Sequence, residues 1–160
     1  MTELRKLEIR AATRSDFDTV VSFNEAMAAE TESKSLDRAA IVSGVRNALD
    51  DPSRCMYFVA DVEGVVVGQV MVTYEWSDWR DAWFWWIQSV YVAPKVRQRG
   101  VFRALYSHVR ELARSRSDVC GLRLYVNQHN SRAIETYRKL GMSRTEYLLF
   151  EEDWSTSTRS

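Results

Sequence analysis

The residues best suited to chemistry are gathered in one stretch, Val90-Tyr91-Val92-Ala93-Pro94-Lys95-Val96-Arg97-Gln98-Arg99-Gly100-Val101-Phe102-Arg103-Ala104-Leu105. An apolar run ends, a short basic loop follows, and helical spacing begins at a glycine. Helix starts leave backbone N–H groups without intrahelical partners and carry partial positive charge. A phosphate placed there gains those donors and about 0.3–2 kcal/mol from the helix dipole. Arg97, Arg99 and Arg103 add mobile charge around the same point, and Gly100 lets backbone approach an anion with no Cβ in the way. On these residues alone two readings stand level: a pyrophosphate-binding loop, or a solvated basic loop that ends in an ordinary helix start. Metal chemistry has less to stand on. His108 and His129 lack ligand spacing, and Cys55 and Cys120 read as small buried hydrophobes in strand-like segments, so neither a metal nor a disulfide is expected.

The elements that must position this stretch follow from periodicity and punctuation. Leu7 to Ala12 reads as a first strand, and Ser15 as the N-cap of a helix that turns Phe17, Val20, Val21 and Met27 to one side. A second helix is expected from about Leu36 to Leu49, stopped at Asp50-Asp51-Pro52. Met56 to Asp61 and Val65 to Tyr74 read as a hairpin about Glu63-Gly64, rich in β-branched residues. Trp83 to Val92 is apolar at almost every position, as for a central strand buried on both faces, and Pro94 ends it. Beyond Gly100, Val101, Leu105, Val109 and Leu112 recur at helical spacing. Val119 to Val126 alternates as a strand, Ser131 to Leu140 reads as a helix stopped by Gly141, and a last strand is expected over Ser143 to Glu151. The order is β-α-α-β-β-β-α-β-α-β, an α/β domain with a mixed, mostly antiparallel central sheet flanked by helices. One domain is expected over residues 1–154, with a polar tail at 155–160.

Composition narrows the function classes. The 160 residues suffice for one compact core, with 46% hydrophobic and 28% charged residues. Lys plus Arg equals Asp plus Glu, so the formal net charge is zero; a protein living by phosphate neutralisation of nucleic acid would carry a basic excess. No apolar run is long enough to span a bilayer, and Met1 to Arg10 has no signal-peptide core. A soluble, cytoplasmic protein that binds neither nucleic acid nor membrane is expected. The six Trp are unusual, and five of them cluster at Trp76, Trp79, Trp83, Trp85 and Trp86.

The basic loop also carries a resemblance. Arg97-Gln98-Arg99-Gly100-Val101-Phe102 resembles the Arg/Gln-x-x-Gly-x-Gly/Ala signature of the GNAT N-acetyltransferase superfamily, with Ser89-Val90-Tyr91-Val92-Ala93-Pro94 similar to the strand before it. Asn127 to Met142, with Asn130, Ala133, Tyr137, Lys139 and Gly141-Met142, resembles the family's downstream block. The resemblance covers roughly residues 7–151, and the ordered set is more specific than the six-residue signature. The last signature position, usually Gly or Ala, is Phe102. Phe removes no backbone donor, and its ring is expected to point away from the anion.

The resemblance implies the fold above and transfer of an acetyl group from acetyl-CoA to an amine. It places the pantetheine arm on Val90, Tyr91 and Val92, and the pyrophosphate on the loop and helix start formed by Arg97, Gln98, Arg99, Gly100, Val101, Phe102 and Arg103. Asn130 would bond the pantetheine arm, or cap its helix, or both. Tyr137 would stand by the CoA sulfur and deliver a proton as thiolate charge develops; its other reading is a ring packed on the sheet. An alkyl amine of pKa near 10.4 is protonated at pH 7, and freeing it costs about 4–5 kcal/mol. Gln88 and Ser89 occupy the place of a strand carboxylate and are not bases. Glu30, Glu32, Glu75, Asp78 and Asp81 are the alternatives, with Glu30 and Glu75 favoured because they border the expected acceptor cleft. Aromatic faces attract cationic amines by about 0.5–2 kcal/mol. Trp76 or Trp79 is therefore expected in the cleft and Trp86 in the core, which favours a small cationic acceptor, with a protein amine or an amino acid also open.

Two other functions compete. One is a catalytically silent module that senses CoA or an amine, favoured by Phe102 and by the missing strand carboxylate. The other is an interaction protein that uses its Trp surface and binds no CoA. A homodimer is a further expectation.

Overall fold

The computed structural model describes residues 6–155. One compact unit ends at Leu124 and a second begins at Tyr125. The first holds a sheet of five strands in chain order: β1 (Leu7–Ala11), β2 (Met56–Val62), β3 (Val65–Ser77), β4 (Ala82–Val92) and β5 (Val119–Arg123). Its first three pairings are antiparallel, and β5 runs parallel to β4. Three helices accompany it, α1 (Phe17–Glu32), α2 (Arg38–Asp50) and α3 (Val101–Arg114). The mixed, mostly antiparallel sheet of the sequence reading is therefore present, and the long strands β3 and β4 are those with the densest β-branched and aromatic content.

Sheet alternation decides which helix covers which face. Tyr57 and Val59 pack with Val20, Val21 and Val45, so α1 and α2 cover one face. Phe58 points the other way and meets His108 of α3 edge-on at 4.9 Å. The buried residues of α3, Val101, Leu105, Tyr106, Val109 and Ala113, form one stripe at helical spacing. Each aliphatic side chain so covered is worth about 1.5–3 kcal/mol.

Local chemistry sets the helix starts. Asp37 caps α2 by accepting from the Ala40 amide at 3.0 Å. The expected Ser15 cap of α1 is replaced by a 3-10 turn, Arg14–Asp16, in which the Asp16 carboxylate accepts from the Thr13 amide at 2.7 Å. Asp16 is buried and also takes two hydrogen bonds from Arg10, at 2.8 and 2.9 Å, while Arg10 reaches Asp61 at 3.0 Å. The Arg10 guanidinium thus ties β1 to the entry of α1 through Asp16 and to β2 through Asp61, and the turn can take that part with Asp16 and not with Ser15.

The second unit contains α4 (Ser131–Lys139). Gly141 follows in the left-handed region, φ 91°, and the Met142 amide returns to the Tyr137 carbonyl at 3.0 Å. Two expectations are corrected here. The strand over Val119 to Val126 ends at Arg123, and residues 143–151 form no strand. A strand exists only where its backbone finds a ladder partner. Tyr147, Leu148, Leu149 and Phe150 instead stand in a row without alternation, and Phe150 is 89% exposed.

Candidate active site

The end of β4 is built differently from its start. β5 pairs with β4 over Trp83–Trp86 only, so the edge of β4 from Ile87 to Val92 has no strand partner on that side among the described residues. On its other side the register with β3 jumps from Gln88 opposite Met71 to Tyr91 opposite Gln69. Ser89 and Val90 therefore share one partner position, a bulge, and Ser89 takes φ 49° in the left-handed region. An L-residue held there costs about 1–3 kcal/mol, and such strain collects at functional sites.

Beyond the bulge the chain is pinned and then turned. The Ala93 amide donates to the Val67 carbonyl at 2.8 Å, and a 3-10 turn at Pro94–Val96 follows. Gln98 and Gly100 are both left-handed, φ 66° and 83°. Alternation of this kind turns successive N–H groups toward one concavity, which suits an anion. α3 begins immediately, and its first intrahelical bond is donated by Ala104 to Gly100 at 2.9 Å. Arg97, Arg99 and Arg103 are exposed around this start, whereas the ring of Phe102 lies toward Tyr106 one turn along, centroids 6.2 Å apart.

Gly68 explains how close this helix start comes to the sheet. A Cβ on Gly68 would meet Val101 Cγ1 at 3.0 Å and the Tyr91 carbonyl oxygen at 3.1 Å. Sequence reading passed over it, although a lone glycine in a strand is a signal for close approach.

The two favoured carboxylates are both engaged. Glu30, near the end of α1, accepts from Tyr91 Oη at 2.8 Å and from Arg97 Nη2 at 2.6 Å. The Arg97 guanidinium, and then the Tyr91 hydroxyl, hold the Glu30 carboxyl below its ordinary value. Arg97 also donates to the Val92 carbonyl at 2.9 Å, so one side chain joins α1, the end of β4 and the basic loop. Burial, and then Glu30, push the Tyr91 phenol up. Glu75 on β3 accepts from Trp86 Nε1 at 2.6 Å and pairs with Arg123, whose guanidinium lies 3.7 Å from the Phe84 ring centroid. Gln88, in the place of a strand carboxylate, donates to Thr73 Oγ1 at 2.6 Å.

The Trp cluster divides between the two faces of the β3–β4 hairpin. Trp86 is opposite Thr73 and bonds Glu75, so it stays half-buried on the Glu75 face and is not the core residue expected. The buried one is Trp85, on the other face, where Tyr74 pairs with Trp85 and Trp76 with Trp83. Trp76 and Trp83 meet at 4.9 Å, edge to face. Alternation thus sets Trp76 on the side away from Glu75. Trp79, at the turn of the hairpin, is 87% exposed. Cys55 is buried as expected, whereas Cys120 is exposed.

In the second unit Asn130 is the N-cap of α4, its Oδ1 accepting from the Ala133 amide at 3.1 Å. Tyr137, on the same helix, is half-buried, and burial pushes its phenol up. Among the described residues no group of His, Cys, Asp and Glu is arranged to hold a metal ion, and no helix is long and apolar enough to cross a membrane.

Three polar residues to which sequence analysis assigns no role meet Ser89 at the bulge. Gln69 is wholly buried on β3 and donates Nε2–H to the Ser89 carbonyl at 3.1 Å. Asn24 of α1 donates to the Val20 carbonyl at 2.9 Å and to Tyr57 Oη at 3.4 Å, and Tyr57 is hydrogen-bonded to the Ser89 side chain. A Gln inside an otherwise apolar strand was the available signal.

Comparison with known proteins agrees with this geometry. The model of the acetyltransferase (GNAT) family matches residues 13–142. The crystal structure of "a possible acetyltransferase from Clostridium difficile 630" is 41% identical, with TM-score 0.87, covering 92% of this chain and 97% of that one. A structure of AAC(6')-Iy in complex with the bisubstrate analog CoA-S-monomethyl-acetylneamine shares the fold at 16% identity, TM-score 0.77, over 92% of this chain and 98% of that one. A transcriptional regulator from Bacillus halodurans C-125 does so at 19% identity, TM-score 0.79, over 92% and 100%. Among curated proteins none matches this sequence.

Proposed function

Because the chain belongs to the GNAT acetyltransferase family, we propose that it is an acetyl-CoA-dependent N-acetyltransferase that moves the acetyl group directly to the amine of a small cationic acceptor. One observation carries the reading: β4 leaves its edge from Ile87 to Val92 without a strand partner among the described residues, and that edge leads straight into the Gln98–Gly100 turn and the start of α3. An extended pantetheine arm can hydrogen-bond such an edge as an added strand would. The pyrophosphate would then rest on Arg97, Gln98, Arg99, Gly100, Val101, Phe102 and Arg103, with Asn130 as a further partner of the arm. The neamine-derived bisubstrate analogue bound by AAC(6')-Iy suits the cationic-acceptor half of the proposal.

In the proposed reaction the amine nitrogen attacks the thioester carbon, and the tetrahedral intermediate expels the CoA thiolate. Tyr137, protonated well above neutral pH, donates to the leaving sulfur. The amine proton must leave as well. Glu30, held low by Arg97, is an anion throughout this range and a weak base; its proposed part is to draw in the protonated amine. Glu75 is the proposed base, acting through water. The silent-sensor alternative draws on the same facts, since both carboxylates are paired and Gln88 replaces an acid.

Calorimetric titration with acetyl-CoA, followed by thiol release with a panel of amines, tests the proposal. Saturable binding with amine-dependent thiol release supports it. Binding without thiol release favours the sensor, and no binding up to millimolar acetyl-CoA refutes the transferase and puts the interaction protein that uses its Trp surface in first place.

A further inference from the structure

We infer that Gln69 is a positioning residue for the acyl donor, acting through the β4 bulge whose carbonyl it holds. The inference rests on the donor-site reading above and adds a residue to it. Ser89 occupies a backbone conformation that glycine accepts and serine resists, φ 49°, so something must hold it. The Nε2–H of Gln69 does so from the neighbouring strand, at 3.1 Å from the Ser89 carbonyl. Asn24 and Tyr57 close the same point from α1 and β2. The bulge, Ser89 and Val90, leads straight into Tyr91 and Val92, so its geometry aims the edge on which the pantetheine arm would lie.

The rest of the Gln69 side chain argues that this is its purpose. It is wholly buried, and its Oε1 has no hydrogen-bond partner. A buried acceptor left without a donor works against stability, and a methionine of the same length would fill the space without that penalty. What methionine cannot do is donate to the Ser89 carbonyl. The side chain therefore costs the fold something and returns it as a fixed bulge.

Gln69→Met and wild type are compared by melting without ligand and by calorimetric titration with acetyl-CoA. The expected result is a melting temperature equal to or above wild type, with acetyl-CoA affinity weakened about three- to ten-fold, the share of one hydrogen bond. Unchanged affinity, whatever the melting temperature, overturns the inference. Should Gln69→Met fail to fold, Ser89 decides. Ser89→Gly keeps the left-handed bulge easy and is expected to bind like wild type, whereas Ser89→Val disfavours it and is expected to bind less well. Equal binding by these two variants also overturns the inference. A wild-type protein that binds no acetyl-CoA removes the donor-site reading itself, so that failure is distinct from the failure of Gln69.

Discussion

Tyr137 and Glu75 divide the proton work of the proposed reaction, and each can be tried alone. Burial raises the Tyr137 phenol above its ordinary value, so its proton is held through neutral and mildly alkaline pH. Tyr137→Phe is expected to lower kcat about 10²-fold or more, the usual share of one positioned acid, with the KM for acetyl-CoA little changed. An equal loss in KM alone would make Tyr137 a packing residue. In the wild type the alkaline fall in activity assigned to Tyr137 lies above about pH 10, because its folded value is raised. Glu75 is tested by removing the carboxylate while keeping the shape of the side chain. Glu75→Gln is expected to lower kcat about 10²-fold and leave acetyl-CoA binding intact; an unchanged kcat assigns proton loss directly to water. Glu30→Gln should act differently, raising the KM for a cationic acceptor more than it lowers kcat, since Glu30 is already an anion across the working range.

At the scale of elements, two close approaches hold the site in shape. α3 can start beside β4 only because Gly68 presents no Cβ to Val101 and to the Tyr91 carbonyl. Gly68→Val is expected to cost about 1–3 kcal/mol of stability, as overpacking does, and to weaken acetyl-CoA binding, both read in one ligand-dependent melting series. The Arg10–Asp16–Asp61 group works on the opposite side of the fold's economy, in stability alone. The Arg10 guanidinium holds the buried Asp16 carboxyl below its ordinary value. A group depressed on folding stabilises the protein above its unfolded value, near 4, and loses that contribution as pH falls through the lower folded value. Asp16→Asn should therefore cost about 1–3 kcal/mol at pH 7, with the gap from wild type closing in acid denaturation below about pH 4. The strands and helices themselves were largely legible, since β-branched runs and 3.6-residue spacing fall on β2, β3, β4 and α3. The last strand was not, because Tyr147–Phe150 is apolar enough to suggest a strand but lacks the alternation that a half-buried one needs. The cap of α1 was misread for a related reason: Ser15 has the right chemistry, and only the ion pair with Arg10 selects Asp16.

For the whole molecule, a formal net charge of zero means that acetyl-CoA cannot be gathered by an overall positive field. Its charge must be met locally, at the basic loop and the start of α3. That loop was readable from sequence because Arg97, Arg99, Gly100 and Arg103 announce it by type and spacing. Gly68, Gln69 and the bulge at Ser89 support it from another strand and were not readable, because strand register is a property of pairing and not of any one segment. The same division yields a prediction about the intact protein. A ligand that binds only the folded state adds about 2.7 kcal/mol at one hundred times its Kd. For a chain of this size that corresponds to roughly 5–10 °C in melting temperature. Acetyl-CoA is expected to give such a shift. Pantetheine, which has the arm without the pyrophosphate, should give far less at equal concentration, and added salt should reduce the difference between them. Equal shifts from the two ligands would place the affinity on the β4 edge alone and leave the basic loop as solvated surface.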